Sequence, residues 1–294
     1  MIDQAEGMVF RPPSESRSFI LRVTIGCSHN TCTFCDMYKG VAFRIRPMSE
    51  IDELINSGSK YYSSARRAFL ADGDALVLPN DKLIHILDRL YEKFPHLNRV
   101  GVYSTPTILL RKTVAELAEL KQHGLQIVYT GIESGSNEVL RRVCKGTTEN
   151  ETIEGCRHAL DANLKLSTMI ILGLGGQELT DDHALATARV INAVQPTMLS
   201  ALTLIIAPGT PLHQQTVAGQ FLPLTARGLM IELHNILSHI TVVKPCIFRS
   251  NHVSNLYPIG GTLPKDKELM LAQAKAILPE LDDTTPLYNF NGNF

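Results

Sequence analysis

Three cysteines fall within nine residues, in the run GCSHNTCTFCDMYKG, where Cys27, Cys32 and Cys35 follow the spacing CxxxxCxxC. Only six cysteines occur in 294 residues, and half of them in one loop is unlike the spread framework of a secreted disulfide protein. The grouping points to a metal. Zinc would require a fourth ligand to complete its tetrahedron, with His29, Cys144, Cys156 and Cys246 as the side chains on offer. A four-iron cluster usually takes four cysteines, so a loop that supplies three leaves one iron open to an exogenous ligand. The remaining three cysteines stand in helical or apolar contexts that suit a structural thiol, and no second cluster is assigned to them.

Around this loop, apolar segments rich in β-formers alternate with amphipathic ones. Six strands are expected, at 18–25, 68–71, 99–104, 125–132, 164–173 and 198–207. Between them, Leu83, Leu87, Leu90 and Phe94 after a cap at Asn80, and then Val114, Leu117 and Leu120, recur at helical spacing. Repeated strand-helix-strand crossovers impose a parallel sheet whose functional residues gather at the C-terminal strand ends. The fold class expected is α/β, a partial (β/α)6 TIM-like barrel over residues 1–213. A helical C-terminal extension over 214–294 would pack on it and contribute to the substrate site, with helices near 225–241 and 264–277 flanking an irregular stretch at 246–261.

With 44% hydrophobic and 19% charged residues, the composition is that of a globular chain with a sizeable core. A formal net charge of −1 argues against a broad basic face, so nucleic acid is not an expected partner. The start MIDQAEGMVFRPP has no basic and apolar leader pattern, and no apolar run approaches a membrane span, so a cytoplasmic location with no membrane contact is expected.

The three-cysteine loop after the first strand, with Phe34 immediately before its last cysteine, resembles the signature of the radical S-adenosylmethionine (SAM) superfamily. Further along, the second strand ends in LADGDAL, the fourth in TGIESGSNEVLRRVCKG, the fifth in ILGLGGQE and the sixth in APGTPL. These are similar to the branch containing oxygen-independent coproporphyrinogen dehydrogenases and methylthiotransferases. The resemblance implies an oxygen-sensitive [4Fe-4S] cluster held by Cys27, Cys32 and Cys35, with SAM chelating the open iron. It places Phe34 near the adenine, and Asp72, Gly73 and Asp74 at the edge that receives the methionine amino group. Ser104 joins these cofactor contacts, Glu133 would meet the ribose hydroxyls, and Lys145 the SAM carboxylate; the alternative for Glu133 and Lys145 is an ordinary helix-terminal ion pair or exposure to solvent. Two departures stand out: the family's usual spacing is CxxxCxxC, and Met169 occupies a position where some relatives carry an acidic ribose ligand.

The chemistry implied is reductive cleavage of SAM to a 5′-deoxyadenosyl radical that abstracts hydrogen from a small-molecule substrate. The electron would come from a one-electron reductant such as flavodoxin or ferredoxin. Within CIFRSNHVSNLYPIGG, Arg249 suits a carboxylate or phosphate, while His252, Asn255 and Tyr257 suit hydrogen bonding or proton movement. The alternative for these residues is that they satisfy backbone groups of an irregular loop. Arg44 and Arg46 form a second candidate anion contact. Two other functional readings share the motif: modification of tRNA or a peptide by the same chemistry, and a cluster- or haem-binding chaperone without turnover.

Overall fold

The computed structural model describes residues 8–282 together with 284, 285 and 287. Its contacts divide the chain into two compact units. The first runs up to Asn30 and adds Cys35–Thr130 and Glu154–Leu166; the second comprises Thr31–Phe34, Gly131–Ile153 and the chain from Ser167 onward. Residues 214–282 lie in the second unit.

In chain order the first stretch carries β1 (Phe19–Arg22), β2 (Thr24–Ile25), β3 (Arg44–Ile45), α1 (Met48–Tyr61), β4 (Arg67–Ala71), α2 (Asn80–Lys93), β5 (Arg99–Tyr103), α3 (Pro106–Arg111), α4 (Val114–Gln122) and β6 (Leu125–Glu133). Strands β1, β4, β5 and β6 pair in that order, all parallel, while β2 and β3 form a small antiparallel ribbon flanking the cysteine loop. The long run expected at 18–25 is thus two strands that serve two sheets. Helices cover the sheet by their apolar stripes: Ile51, Leu54, Ile55 and Gly58 on α1, and Leu83, Ile86, Leu87 and Leu90 on α2, follow the i, i+3, i+4, i+7 rule. Helix α4 opens with a capping box in which Thr113 and Glu116 each satisfy the other's backbone amide. Asn80 is the first residue of α2, after Pro79 at the cap, and its side chain bonds Lys112 and the Glu116 carbonyl.

The chain continues with α5 (Asn137–Arg142), α6 (Glu149–Asp161), β7 (Lys165–Leu172), α7 (Gly176–Val194), β8 (Met198–Thr203), α8 (Pro211–Val217), α9 (Ala226–His239), β9 (Cys246–Ser250), β10 (Ile259–Leu263) and α10 (Lys267–Ile277). In the second unit β7, β8 and β9 run parallel, and β10 returns antiparallel to β9. Helix α9 packs against both α7 and α10.

The architecture is α/β with mostly parallel strands, and each of the six expected strands is present. The C-terminal extension differs from expectation in being not purely helical, because 246–261 contains β9 and most of β10. The reason is legible afterwards: Cys246, Phe248 and Ser250 are buried while Ile247 and Arg249 are exposed, a two-residue alternation over five residues. Pro258 and the pair Gly260 and Gly261 mask the partner strand.

Candidate functional site

The cysteine loop is stapled to the end of β4. The Gly26 amide donates to Asp72 Oδ2 (3.1 Å), and the Gly26 carbonyl accepts from the Gly73 amide (3.1 Å). Gly26 and Asp72 both take left-handed backbone conformations, with φ of 81° and 78°. Asp72 is held in turn by Arg22, whose Nε and Nη2 donate to the two carboxylate oxygens at 3.0 and 2.9 Å. Both side chains are essentially inaccessible, so the charges compensate each other inside the unit. Gly73 lies directly against the first cysteine: a Cβ built on it would fall 2.5 Å from Cys27 Cβ and 2.9 Å from its Sγ. Only glycine fits there.

Asp74 is equally buried and equally engaged. Its carboxylate accepts from Ser28 Oγ (2.7 Å), from the Thr105 amide (3.2 Å) and from Thr105 Oγ1 (3.1 Å), joining the cysteine loop to the end of β5. The side chains of Asp72 and Asp74, expected to receive a ligand amino group, are thus committed to protein partners. A buried carboxylate requires such donors, and here they fix the loop's position. Arg22, which sequence reading passed over, is betrayed only by being a cation within the apolar run FILRV. Ser104 is buried at the end of β5, where its amide donates to the Tyr129 carbonyl (3.0 Å).

The middle of the cysteine loop, Thr31–Phe34, belongs to the second unit. The Thr33 amide donates to the Val143 carbonyl (2.9 Å), and the Thr33 carbonyl accepts from the Leu212 amide (3.0 Å), which fixes the backbone on the C-terminal side of Cys32. Phe34 packs on a buried cluster of Val139, Val143, Leu174, Leu204 and Leu212. β6 ends in Glu133, itself in a left-handed conformation (φ 63°), and Glu133 Oε1 accepts from Lys145 Nζ at 2.8 Å. Both side chains are about nine-tenths buried, with 13% and 10% exposure, so the two residues singled out for ligand contacts form a pair. The carboxylate folds back over Gly131, where a Cβ would sit 1.9 Å from Oε1.

Beyond β7 comes the turn Gly173–Gly176, whose first and last glycines have φ of 82° and 60°. The C-terminal candidates divide between two faces. In register, Met169 of β7 is opposite Ser200 of β8, and Ser200 is opposite Arg249 of β9. Arg249 is therefore exposed on one sheet face, its Nη1 anchored to the carbonyls of Phe248 (2.7 Å) and Gly261 (3.0 Å). Ser250, next along the strand, points the other way, and Asn255 Nδ2 bonds its hydroxyl at 2.9 Å. Asn255 and Tyr257 line a small, mostly apolar cavity with Thr203, Ser250, Leu229 and Met230. Arg249 and Ser250, the residue that Asn255 bonds, thus lie on opposite faces of β9. His252 Nδ1 accepts from the Ser254 amide (3.2 Å), so its proton sits on Nε2, and burial pushes its pKa below the ordinary value. Arg46 and Arg44 approach Glu50 at 3.1 and 3.9 Å.

Residues 21–190 match the family model described as the radical SAM superfamily. The chain belongs to that superfamily. Among curated relatives of this radical SAM chain, it is 29% identical over 226 residues to the tRNA-2-methylthio-N(6)-dimethylallyladenosine synthase of Sorangium cellulosum, covering 66% of this chain and 44% of the relative. It is 26% identical over 167 residues to the 4'-phospho-dehydrooxetanocin synthase of Priestia megaterium, covering 50% of this chain and 22% of that one. The chain spans less than half the length of the curated relatives it matches. In fold it resembles coproporphyrinogen III oxidase (HemN) from Escherichia coli, with a TM-score of 0.59 at 14% identity over 88% of this chain and 58% of that one. Methylornithine synthase gives 0.54 at 14% identity over 93% and 75%. These likenesses support the α/β partial-barrel architecture. Among the described residues, no helix is long and apolar enough to cross a membrane.

Proteins of this superfamily hold a [4Fe-4S] cluster and SAM, and the residues present fit that demand by their donor chemistry, although among the described residues no three ligands are already gathered into a metal site. Cys27, Cys32 and Cys35 are unbridged thiols, each partly accessible, a soft donor set suited to iron-sulfur. Gly73 leaves open the space beside Cys27 that a side chain would fill. Tyr38, three residues after Cys35, is 4% exposed, and its hydroxyl has no hydrogen-bond partner among the described residues. Burial, then the nearby charge of Asp72, drives its pKa well above the ordinary tyrosine range, so it stays a donor. By contrast, Cys156 and Cys246 are buried thiols whose pKa values burial pushes up to about 12, the mark of structural cysteines.

Proposed function

We propose that this chain is a radical SAM enzyme acting in the cytoplasm on a small substrate that carries an anionic group. The observation that carries the reading is the three-cysteine loop, held by the Gly26 amide on the Asp72 carboxylate and by backbone bonds of Gly26 with Gly73 and of Thr33 with Val143 and Leu212. Cys27, Cys32 and Cys35 would hold the cluster, and the group, with SAM, supplies reductive cleavage to methionine and a 5′-deoxyadenosyl radical that abstracts a substrate hydrogen. A one-electron reductant such as flavodoxin or ferredoxin completes the reaction.

The chain's own residues orient and exclude. Glu133 and Lys145 form a preorganised acid-base couple for the ribose hydroxyls and carboxylate of SAM, their mutual bond holding each in place before binding. Phe34 offers an apolar surface backed by Val139 and Leu212 to a nucleobase. Arg249 is the anchor for a substrate carboxylate or phosphate: Nη1 is fastened to two carbonyls, which leaves the rest of an exposed guanidinium to form a charge-assisted fork. Asn255 and His252 support this strand end from its other face. Their contacts with Ser250 and Ser254 make them residues that shape the loop.

The test is anaerobic reconstitution with iron and sulfide, reduction in the presence of SAM, and mass analysis of the nucleosides. Formation of 5′-deoxyadenosine that disappears in Cys32→Ala is the expected result. Bound zinc without a cluster would sink the proposal, and methylthioadenosine would show cleavage at a different carbon-sulfur bond.

A further inference from the structure

Glu232 stands on α9, far along the sequence from every motif discussed above, yet its side chain is 1% exposed and reaches the glycine turn after β7. Oε1 accepts from the Gly173 amide at 2.6 Å, and Oε2 accepts from Thr180 Oγ1 at 2.6 Å. Oε1 also lies 3.7 Å from Nε2 of His183, a fully buried imidazole. The other ring nitrogen of His183, Nδ1, is 2.8 Å from Ser134 Oγ, which itself accepts from the Ser136 amide at 3.0 Å. A buried polar path therefore runs from the glycine turn through Glu232 and His183 to the loop that follows Glu133, its Glu232–His183 step being a 3.7 Å electrostatic approach, since His183 Nε2 has no hydrogen-bond partner among the described residues.

Both ends of this path are conformationally demanding. Gly173 takes a left-handed φ of 82°, and a Cβ there would fall 2.8 Å from Leu229 Cδ2 of α9, one turn of helix before Glu232. At the other end, a Cβ on Gly135 would meet the Ala186 carbonyl oxygen at 2.1 Å, and the Gly135 amide donates to Thr187 Oγ1 at 3.0 Å. An isolated buried carboxylate is costly, and this one is met by the Gly173 amide of the turn and by Thr180 and His183 of α7, the helix that follows it. Fixing a turn's shape in advance lowers the ordering cost a ligand meets on binding.

We infer that Glu232 is a positioning residue for SAM: by accepting from Gly173 and Thr180 and facing His183, it holds the turn after β7 and the loop after Glu133 in the arrangement that receives the nucleoside. This rests on the reading of those loops as the SAM site. Reconstituted protein and its variants are compared by equilibrium dialysis with labelled SAM and by iron content. Hydrogen-deuterium exchange of the Gly173–Gly176 segment in SAM-free protein reads the turn by itself.

Glu232→Ala is expected to keep its iron, to exchange faster at the turn and to bind SAM at least tenfold more weakly. Glu232→Gln, which retains an acceptor for the Gly173 amide, is expected to stay within about threefold of the parent. Should Glu232→Ala fail to fold, Thr180→Val, which removes one bond and keeps the charge, is expected to weaken binding a few-fold with faster exchange. Unchanged SAM affinity in a folded, cluster-loaded Glu232→Ala, or in Thr180→Val if that is the variant measured, overturns the inference. Equal losses in the Ala and Gln variants overturn it too. A parent protein that assembles no cluster and binds no SAM refutes instead the enzymatic reading on which it stands.

Discussion

Arg22 and Asp72, fifty residues apart, form a two-point ion pair that is almost completely buried, and one oxygen of that same carboxylate holds the amide next to Cys27. The cysteine loop is thus positioned by a charge pair that makes no contact with solvent. Removing one partner takes from the other buried charge its two-point counter-ion, at a cost of about 3–5 kcal/mol. Arg22→Leu and Asp72→Leu are each expected to lower the unfolding free energy by that order in denaturant titrations, whereas the double variant recovers part of the loss.

Gly73→Ala places a methyl group within 2.9 Å of the Sγ, Cβ and Cα of Cys27. Since the opposing atoms include backbone, the loop has to move. The expected result is a folded protein, by circular dichroism, that retains much less iron per chain after anaerobic reconstitution. Full iron content would show that Cys27 tolerates displacement.

Lys145→Ala leaves Glu133 with its carboxylate about nine-tenths buried and without its ammonium. SAM loses a cationic partner as well. Calorimetric titration of the reconstituted protein is expected to show SAM affinity reduced by about tenfold or more, equivalent to about 1.4 kcal/mol. Affinity equal to the parent's would remove Lys145 from the cofactor site.

Arg249→Ala is expected to raise KM for an anionic substrate while uncoupled SAM cleavage, measured as 5′-deoxyadenosine, stays at the parental rate. Lysine is not an adequate replacement, because the two carbonyl anchors and the free edge of the guanidinium together require a planar fork. Arg249→Lys is therefore expected to resemble the alanine variant more than the parent.

His252 carries a pH signature. Burial holds its imidazole below the ordinary value, so as pH falls through about 6.5 the unfolded chain takes up this proton before the folded one. The contribution is present above that pH and is lost below it. Thermal unfolding of His252→Gln is expected to lose less stability between pH 8 and 5.5 than the parent does.

Much of the fold, and the grouping of the candidate site residues, was legible because the signals are local. Cys27, Cys32 and Cys35 share one loop, Lys145 follows Glu133 by twelve residues, and each expected strand was a segment rich in apolar and β-forming residues. What escaped notice depends on contacts between distant positions. Asp72 and Asp74 look in sequence like ligand-facing acids at a strand end, and only the arrival of Arg22, Ser28 and Thr105 turns their carboxylates inward. Arg249 and Asn255 stand six residues apart in sequence, but strand alternation sets Arg249 and Ser250, the residue that Asn255 bonds, on opposite faces. Glu232 carries no local sign at all, being one acid in a helix with an ordinary amphipathic pattern.

The backbone bonds of Thr33 also say something about timing. Its partners, Val143 and Leu212, are made 110 and 179 positions later, so a growing chain displays Cys32 long before it can hold it still. Contacts of such sequence separation form late. The backbone beside the Cys32 thiol therefore stays pliable through most of synthesis, and its last bond waits for the emergence of α8.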